Sequence, residues 1–367
     1  MSYTNGLDDP SAYFTTTLWT GAGGSPRAIT NDANSGNFQP DFVWTKGRNE
    51  AYEHNLYDSS RGTGTTKGLC SNDTSAEGTV SASYGYLSSF DSNGFTGTAG
   101  SSGQNAYFDT NAKTYVAWQW KANGGTTASN SDGSVTSTTQ VNSDAGFSIV
   151  TFTSAASSGT GIFSVGHGLG QIPAMVITKS RDSTSNWWSW HKGLTGGNSN
   201  TSYIVALERI TAEASYSNAW GAGMTSSVFG MQSGNTAVAS SSYVAYCFAE
   251  KQGFSKFGTY VGNGNADGPF IYTGFKPAFF LLKKTSATDG WRLFDNKRAG
   301  YNDDNYRLAP NDNTAEDTAT TYLDMLSNGV KIRGTAGSFN QSGGSYIYMA
   351  FAENPFTTST GIPTTAR

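Results

Sequence analysis

Three prolines, each placed just before a similar apolar run, constrain the fold of this chain more than any other feature. They are Pro40, Pro173 and Pro277. The runs that follow read DFVWTK, AMVITK and AFFLLK, and each ends in a lysine six residues beyond its proline, at Lys46, Lys179 and Lys283. Each run is apolar on both faces, which predicts an interior strand with the proline at its start and the lysine reaching solvent at its end.

Two further motifs follow each proline in the same order. Asp58, His191 and Asp295 lie eighteen residues beyond the three prolines, and Arg61 and Arg298 follow the two aspartates at a spacing of three. The closing motifs read YVAWQW, YVAYCF and YIYMAF. With a period of two, one face of each closing strand is entirely apolar and is predicted to face the core. Motifs that recur in one order predict a repeat.

The sequence therefore predicts an all-β fold of three tandem related β-sandwich units, of lectin or jelly-roll type. Only 14% of the 367 residues are charged, 13% are aromatic and 45 are glycine, which is typical of short strands joined by tight turns. The predicted units are 1–125, 147–253 and 254–356. Residues 126–146, rich in Ser, Thr and Gly, are predicted to be a linker, and 357–367 an extended C-terminal arm.

Composition argues against several function classes. The net charge is −4 and the basic residues are scattered, so nucleic acid is not an expected partner. No apolar run approaches the ~20 residues of a membrane span, and the polar opening lacks the features of a signal peptide. Cys70 and Cys247 suggest neither a disulfide framework nor a zinc site. We expect a protein made in a reducing cytoplasm that contacts no membrane.

The candidate chemical groups favour structural roles. Asp58 with Arg61, and Asp295 with Arg298, are interpreted as ion pairs that pin a turn, because a lone carboxylate lacks the second group that acid–base chemistry requires. The acidic segment 302–305 could hold Ca²⁺ but lacks the spacing of a calcium loop, so turns are favoured there. We predict no catalytic residue, no metal and no cofactor.

Tryptophans offer a weak candidate for ligand binding. Trp187, Trp188 and Trp190 are close together, and adjacent residues on a strand point to opposite faces. Trp190 aligns with core aromatics of the other units, whereas Trp187 aligns with His54. Trp187 is therefore predicted to be the surface residue, where it could stack on a sugar, and core packing is the alternative.

Longer segments carry a resemblance to a known group of proteins. They include SYTNGLDDP, FQPDFVWTK, YDSSRG, GFSIVTF, VGHGLG with IPAMVITK, YVAYCFAE, GPFIYTGFKPAF and YIYMAFAENPF with TTAR. Together they resemble repeat-containing, tail-fibre-like virion structural proteins of marine tailed phages of the cyanophage and pelagiphage type. The resemblance covers nearly the whole chain and implies a virion component, but it assigns no site residues.

The sequence and the resemblance together predict a non-enzymatic structural protein on the virion exterior, most simply a tail fibre or tail-tip adhesin subunit that contacts a host glycan. The alternatives are a capsid decoration or head-fibre protein, a tailspike-type polysaccharide hydrolase, and a free carbohydrate-binding module. Expected partners are other phage virion proteins, copies of the chain itself within the particle, and a host surface glycan.

Overall fold

Strands account for most of the regular structure in a computed structural model, which describes residues 7–31, 38–79, 81–155, 161–298, 302, 306–318 and 322–355. The first elements are β1 (Phe14–Thr20), β2 (Arg27–Thr30), β3 (Phe42–Gly47), β4 (Asn55–Asp58), α1 (Ser81–Tyr84), β5 (Tyr86–Asp91), β6 (Gly94–Thr98) and β7 (Thr114–Trp120). Next come β8 (Ala128–Asn130), β9 (Ser137–Asn142), β10 (Phe147–Thr153), β11 (Ile162–Gly166), β12 (Met175–Ser180), β13 (Trp188–His191), β14 (Tyr203–Ala206), β15 (Ala214–Ser215), β16 (Val228–Gln232) and β17 (Ser242–Phe248). The last are β18 (Ser255–Val261), β19 (Phe270–Tyr272), β20 (Phe275–Lys284), β21 (Trp291–Asp295), β22 (Leu323–Leu326), β23 (Gly329–Ile332), α2 (Gly337–Asn340) and β24 (Ser345–Pro355). The all-β class predicted from the sequence is confirmed.

The same four-strand order occurs in three antiparallel sheets. It reads β1-β7-β3-β4 in the first, β10-β17-β12-β13 within the second, and β18-β24-β20-β21 in the third. The register is also shared, since the post-proline strand pairs with the closing strand as Phe42 with Trp120, Met175 with Phe248, and Phe279 with Phe351. Below, these are called the first, second and third main sheets, and β7, β17 and β24 their closing strands.

One face of each main sheet packs on a smaller sheet, which makes the fold sandwich-like. The smaller sheets are β2-β6-β5, β11-β16 and β19-β23-β22. Apolar residues fill each interface: Val43 with Phe95 in the first, Val150 with Phe229 in the second. In the third interface Phe280 packs in one cluster with Val330.

The other faces of the three main sheets meet in one common core. Its members include all nine apolar residues predicted from the closing motifs, namely Val116, Trp118, Trp120, Val244, Tyr246, Phe248, Ile347, Met349 and Phe351. The ring of Phe351 lies 5.3 Å from that of Phe14 and 5.9 Å from that of Phe248, centroid to centroid. Aromatic rings from all three main sheets therefore pack together at the centre of the molecule.

The predicted linker is wrong for 126–146. Strand β9 lies within it and pairs with β10 along its length, and β8 pairs with β9 in turn. The polar composition is accommodated because Gln140 is buried and its amide oxygen accepts hydrogen bonds from the backbone of Asn123 and Gly125. The predicted C-terminal arm, 357–367, lies outside the described residues.

The three prolines take two positions relative to their strands. Pro40 and Pro173 lie two residues before β3 and β12. Pro277 lies inside β20, where the register shifts on either side of it, so the missing N–H falls at an irregularity in the ladder. The prediction of a strand start is wrong for Pro277.

None of the helices described is long and apolar enough to span a bilayer.

Candidate functional site

Asp58 and Arg61 form a fully buried ion pair at the end of β4. The Arg61 backbone N–H donates to one carboxylate oxygen (2.8 Å) and the guanidinium Nε to the other. The guanidinium also donates to the carbonyl of Lys67 (2.6 Å) and pairs with Glu77 at 3.2 Å. From the second main sheet, the Tyr246 hydroxyl donates to Asp58 (2.8 Å). Burial alone would lower the pKa of Arg61, but the interactions with Asp58, Tyr246 and Glu77 together outweigh burial and raise that pKa.

Asp295 and Arg298 repeat this arrangement after β21. Arg298 donates through its backbone N–H (2.9 Å) and its Nε (2.6 Å) to the carboxylate, and its Nη1 pairs with Glu316 at 2.8 Å. The indole N–H of Trp118, on the closing strand of the first main sheet, donates to Asp295 (3.0 Å). Trp118 is the residue of β7 that corresponds in register to Tyr246 of β17.

His191 takes the corresponding place at the end of β13 without any charge. Its Nδ1 accepts from the backbone N–H of Gly193 (2.9 Å), so Nε2 carries the proton and donates to the carbonyl of Tyr348 (3.0 Å). Burial lowers the pKa of His191 to about 3. The imidazole is therefore neutral at physiological pH, and it joins the second main sheet to the third.

These three contacts form a closed ring around the common core. The end of β4 bonds to β17, the end of β13 to β24, and the end of β21 to β7. Each main sheet thus holds the closing strand of the next, as head-to-tail subunits do in a cyclic oligomer. Both carboxylates are completely enclosed, so a substrate cannot reach them in this structure. The arrangement holds sheets together and provides no acid–base site.

The three lysines that end the post-proline runs are buried, and the expectation that they reach solvent is wrong. Their exposed fractions are 1% for Lys46, 1% for Lys179 and 0% for Lys283. Backbone carbonyls accept from each ammonium group; for Lys179 the carbonyl of Ser180 lies at 3.0 Å and that of Thr74 at 3.1 Å. Burial lowers the pKa of all three lysines to about 8.

Trp187 is not a surface residue, and the prediction of an exposed stacking platform there is wrong. Its side chain is completely buried in the common core, and its indole N–H donates to the carbonyl of Cys70 (2.8 Å). Trp291 makes the same type of bond to the carbonyl of Ala206 (2.9 Å). The alignment of Trp187 with His54 was misleading because His54 is itself fully buried.

Trp188, the next residue and the first of β13, lines an open pocket instead. This cavity, the Trp188 pocket, has a volume of about 410 Å³ and lies between residues 184–188 and 234–243. A second cavity of about 250 Å³, the Tyr84 pocket, is lined by Tyr52, Tyr84 and Tyr107 among others. Neither pocket is predicted by the sequence patterns, although the alternation that buries Trp187 also directs Trp188 to the opposite face.

Metal and thiol chemistry find little support in the described part of the chain. No group of three or more His, Cys, Asp or Glu side chains is placed there to hold a metal ion. Cys70 and Cys247 are both buried free thiols, and burial raises the pKa of each. The acidic segment 302–305 lies outside the described residues except for Asn302, whose side chain accepts from the backbone N–H of Met325 (2.9 Å).

Comparison with known proteins gives one result. The model of a family described as a domain of unknown function (DUF7483) matches residues 9–355. No curated protein and no solved structure matches the chain.

Proposed function

We propose that this chain, which belongs to the DUF7483 family, is a non-enzymatic structural protein on the exterior of a phage virion. Within that role, a tail fibre or tail-tip adhesin subunit fits best. The context of the virion comes from the resemblance of the sequence to tail-fibre-like proteins of marine phages. The structural support comes from what the recurring polar residues do.

The observation that carries the proposal is that these residues join sheets. A repeated catalytic or binding chemistry would place its groups at recurring positions of the sequence. Asp58, His191 and Asp295 occupy such positions, and each lies in a buried contact with a neighbouring main sheet. The chain uses its recurring polar groups for cohesion, as expected of a rigid appendage exposed to solvent and mechanical load.

The hydrolase alternative requires two carboxylates that face one groove. The two carboxylates singled out by their recurrence are enclosed and paired with arginines. Among the described residues that line the Trp188 pocket there is no acidic side chain, and the Tyr84 pocket contains one, Glu53. Glu53 is held by the side-chain amide of Asn313 (3.0 Å). These features favour a binding or structural role over glycoside cleavage.

Labelled particles test the proposal. Gold-conjugated antibodies raised against the purified chain would be applied to particles of the phage that encodes it. We expect label at the tail or its tip. Label over the head would favour a decoration or head-fibre protein, and particles without label, in a preparation where a known tail protein is labelled, would contradict a place on the virion exterior.

A further inference from the structure

We infer that the Trp188 pocket and the Tyr84 pocket are a pair of binding subsites for neutral carbohydrate. This inference rests on the proposed role as an adhesin and gives that role a location and a ligand class. It depends on four features: the place of the pockets in the fold, their aromatic rings, their unused polar groups and their charge.

The two pockets lie at equivalent places on the first and second main sheets. Each is formed where the loop that precedes β4 or β13 meets the loop that precedes the closing strand. The first loop contributes residues 51–53 to the Tyr84 pocket and 184–186 to the Trp188 pocket. The second contributes residues from 104–107 and 234–239 respectively. A cavity that recurs at one place, although most of its side chains differ, indicates a feature of the architecture and not an accidental gap.

Each pocket presents an aromatic surface. In the Trp188 pocket the indole is half-buried, and the exposed Tyr216 lies beside it with ring centroids 6.1 Å apart. In the Tyr84 pocket, Tyr84 is 46% exposed and meets Tyr107 edge-on at 6.3 Å. The electron-rich face of such a ring attracts the weakly positive C–H groups on the apolar face of a pyranose, while its hydrophobic area is removed from water.

The Trp188 pocket also holds polar groups that are not used within the protein. Among the described residues, no partner accepts from the indole N–H of Trp188 or bonds to the hydroxyl of Thr184. The Asn186 side chain accepts from Arg209 (2.8 Å) through its oxygen, which leaves the amide N–H₂ available. Indole, hydroxyl and amide groups around one cavity provide the donors and acceptors that sugar hydroxyls require.

The charge of the pocket selects a neutral ligand. No charged side chain lines the Trp188 pocket within the described part of the chain. Arg209 lies at the rim, with its guanidinium carbon 5.9 Å from the centroid of the Trp188 ring, and it pairs with Glu208 at 3.4 Å. The cavity of about 410 Å³ lies within the usual range of roughly 300–1,000 Å³ for small-molecule sites. A hexose or N-acetylhexosamine unit fits this chemistry, whereas a sulfated or sialylated one finds no unpaired cation in the lining.

Two shallow sites on one chain bind weakly when tested singly. Joined on one body they act together, because the second contact is made at a high effective concentration. The test therefore presents the protein in many copies. The full chain, coupled to fluorescent beads, is applied to an array of neutral hexose and N-acetylhexosamine oligosaccharides together with sulfated and sialylated oligosaccharides.

We expect binding to neutral members of the array, and at least a tenfold loss of signal for Thr184→Arg. Thr184 is exposed, so this substitution fills the pocket without disturbing the core. Thr211→Arg is the matched control, because Thr211 is an exposed threonine outside the pocket lining, and it should bind like the unaltered chain. Tyr84→Ala tests the second pocket and should add to the loss caused by Thr184→Arg.

Several outcomes would overturn the inference. The first is that no neutral oligosaccharide on the array binds the protein. The second is that Thr184→Arg leaves binding unchanged. The third is that Thr211→Arg reduces binding as much as Thr184→Arg does. The circular dichroism of each variant establishes that it is folded. If the array fails while gold label remains on the particle, the carbohydrate sites are refuted and the virion role stands. If gold label is absent from the particle and glycans bind, the virion role is refuted and the carbohydrate sites stand.

Discussion

Truncation of Phe351 to alanine tests whether the main sheets share one core. The side chain is 1% exposed, and its ring contacts aromatic rings of all three main sheets or their connecting segments. A buried Phe→Ala change costs about 3–5 kcal/mol in the free energy of unfolding. We expect the upper part of that range, since aromatic pairs contribute about 0.5–1.5 kcal/mol each beyond the area they bury.

The expected melting shift follows from the size of the chain. At about 2.1 cal/mol/K per residue, the entropy of unfolding of 367 residues is roughly 0.8 kcal/mol/K, so a loss of about 4–5 kcal/mol corresponds to a fall of roughly 5–6 °C in Tm. Calorimetry and tryptophan fluorescence should both show a single unfolding transition at the lowered Tm, and Phe248→Ala should lower the Tm of that single transition in the same way. Phe270→Ala is the control, because Phe270 is 46% exposed and its loss should change stability by less than about 0.5 kcal/mol.

Two results would refute the reasoning. If Phe351→Ala splits the melt so that only part of the signal shifts, the sheets unfold as separate units and the common core is not cooperative. If the loss is as small as that of Phe270→Ala, the closing strands do not bury this face.

Three further predictions concern the buried polar groups and activity. Asp295→Ala should cost about 3–5 kcal/mol in urea unfolding, because the buried Arg298 guanidinium loses one of its carboxylate partners and the Trp118 indole N–H loses its acceptor. The double variant Asp295→His with Arg298→Leu, which copies His191 and Leu194 of the second main sheet, should recover stability, and an equal or larger loss would contradict the equivalence. The folded-state pKa of the buried lysines is about 8, below the ~10.4 of an unfolded lysine, so the unfolded chain binds more protons between these values and stability should rise with pH over 8–9.5. Urea midpoints measured at pH 7.5 and 9.5 give this rise in stability. The rise should be smaller in Lys179→Met, and a steeper rise in that variant would contradict the prediction. Incubation of the protein with purified bacterial surface polysaccharide should release no oligosaccharide; release that disappears on substitution of one Asp or Glu would establish a hydrolase.

The strands of the closing motifs were predictable because alternation fixes which residues share a face. Val116, Trp118 and Trp120 lie together in the core for that reason. What covers that face was not predictable, since an apolar face indicates burial without identifying its partner. Here the partners are the closing strands of the other main sheets, more than a hundred residues away in sequence.

The polar positions show the same limit. His191 stands where the other units have an aspartate, and the sequence does not show that its neutral imidazole makes the corresponding contact through a backbone carbonyl. Residues 126–146 looked like a linker because composition does not reveal that a strand can satisfy buried polar side chains such as Gln140. Trp187 was assigned to the surface from its alignment with His54, although alternation along the strand allowed either tryptophan to be the exposed one.

The copy number of the chain in purified particles tests the proposed place on the virion most directly. Particles would be banded on a density gradient, digested, and quantified by mass spectrometry against isotope-labelled peptides of this chain and of the major capsid protein. A tail appendage predicts a fixed number of copies per particle, in units to tens, that remains after a second gradient. Hundreds of copies would favour a capsid decoration protein, and a chain that stays in the soluble lysate while particles band without it would contradict a virion role.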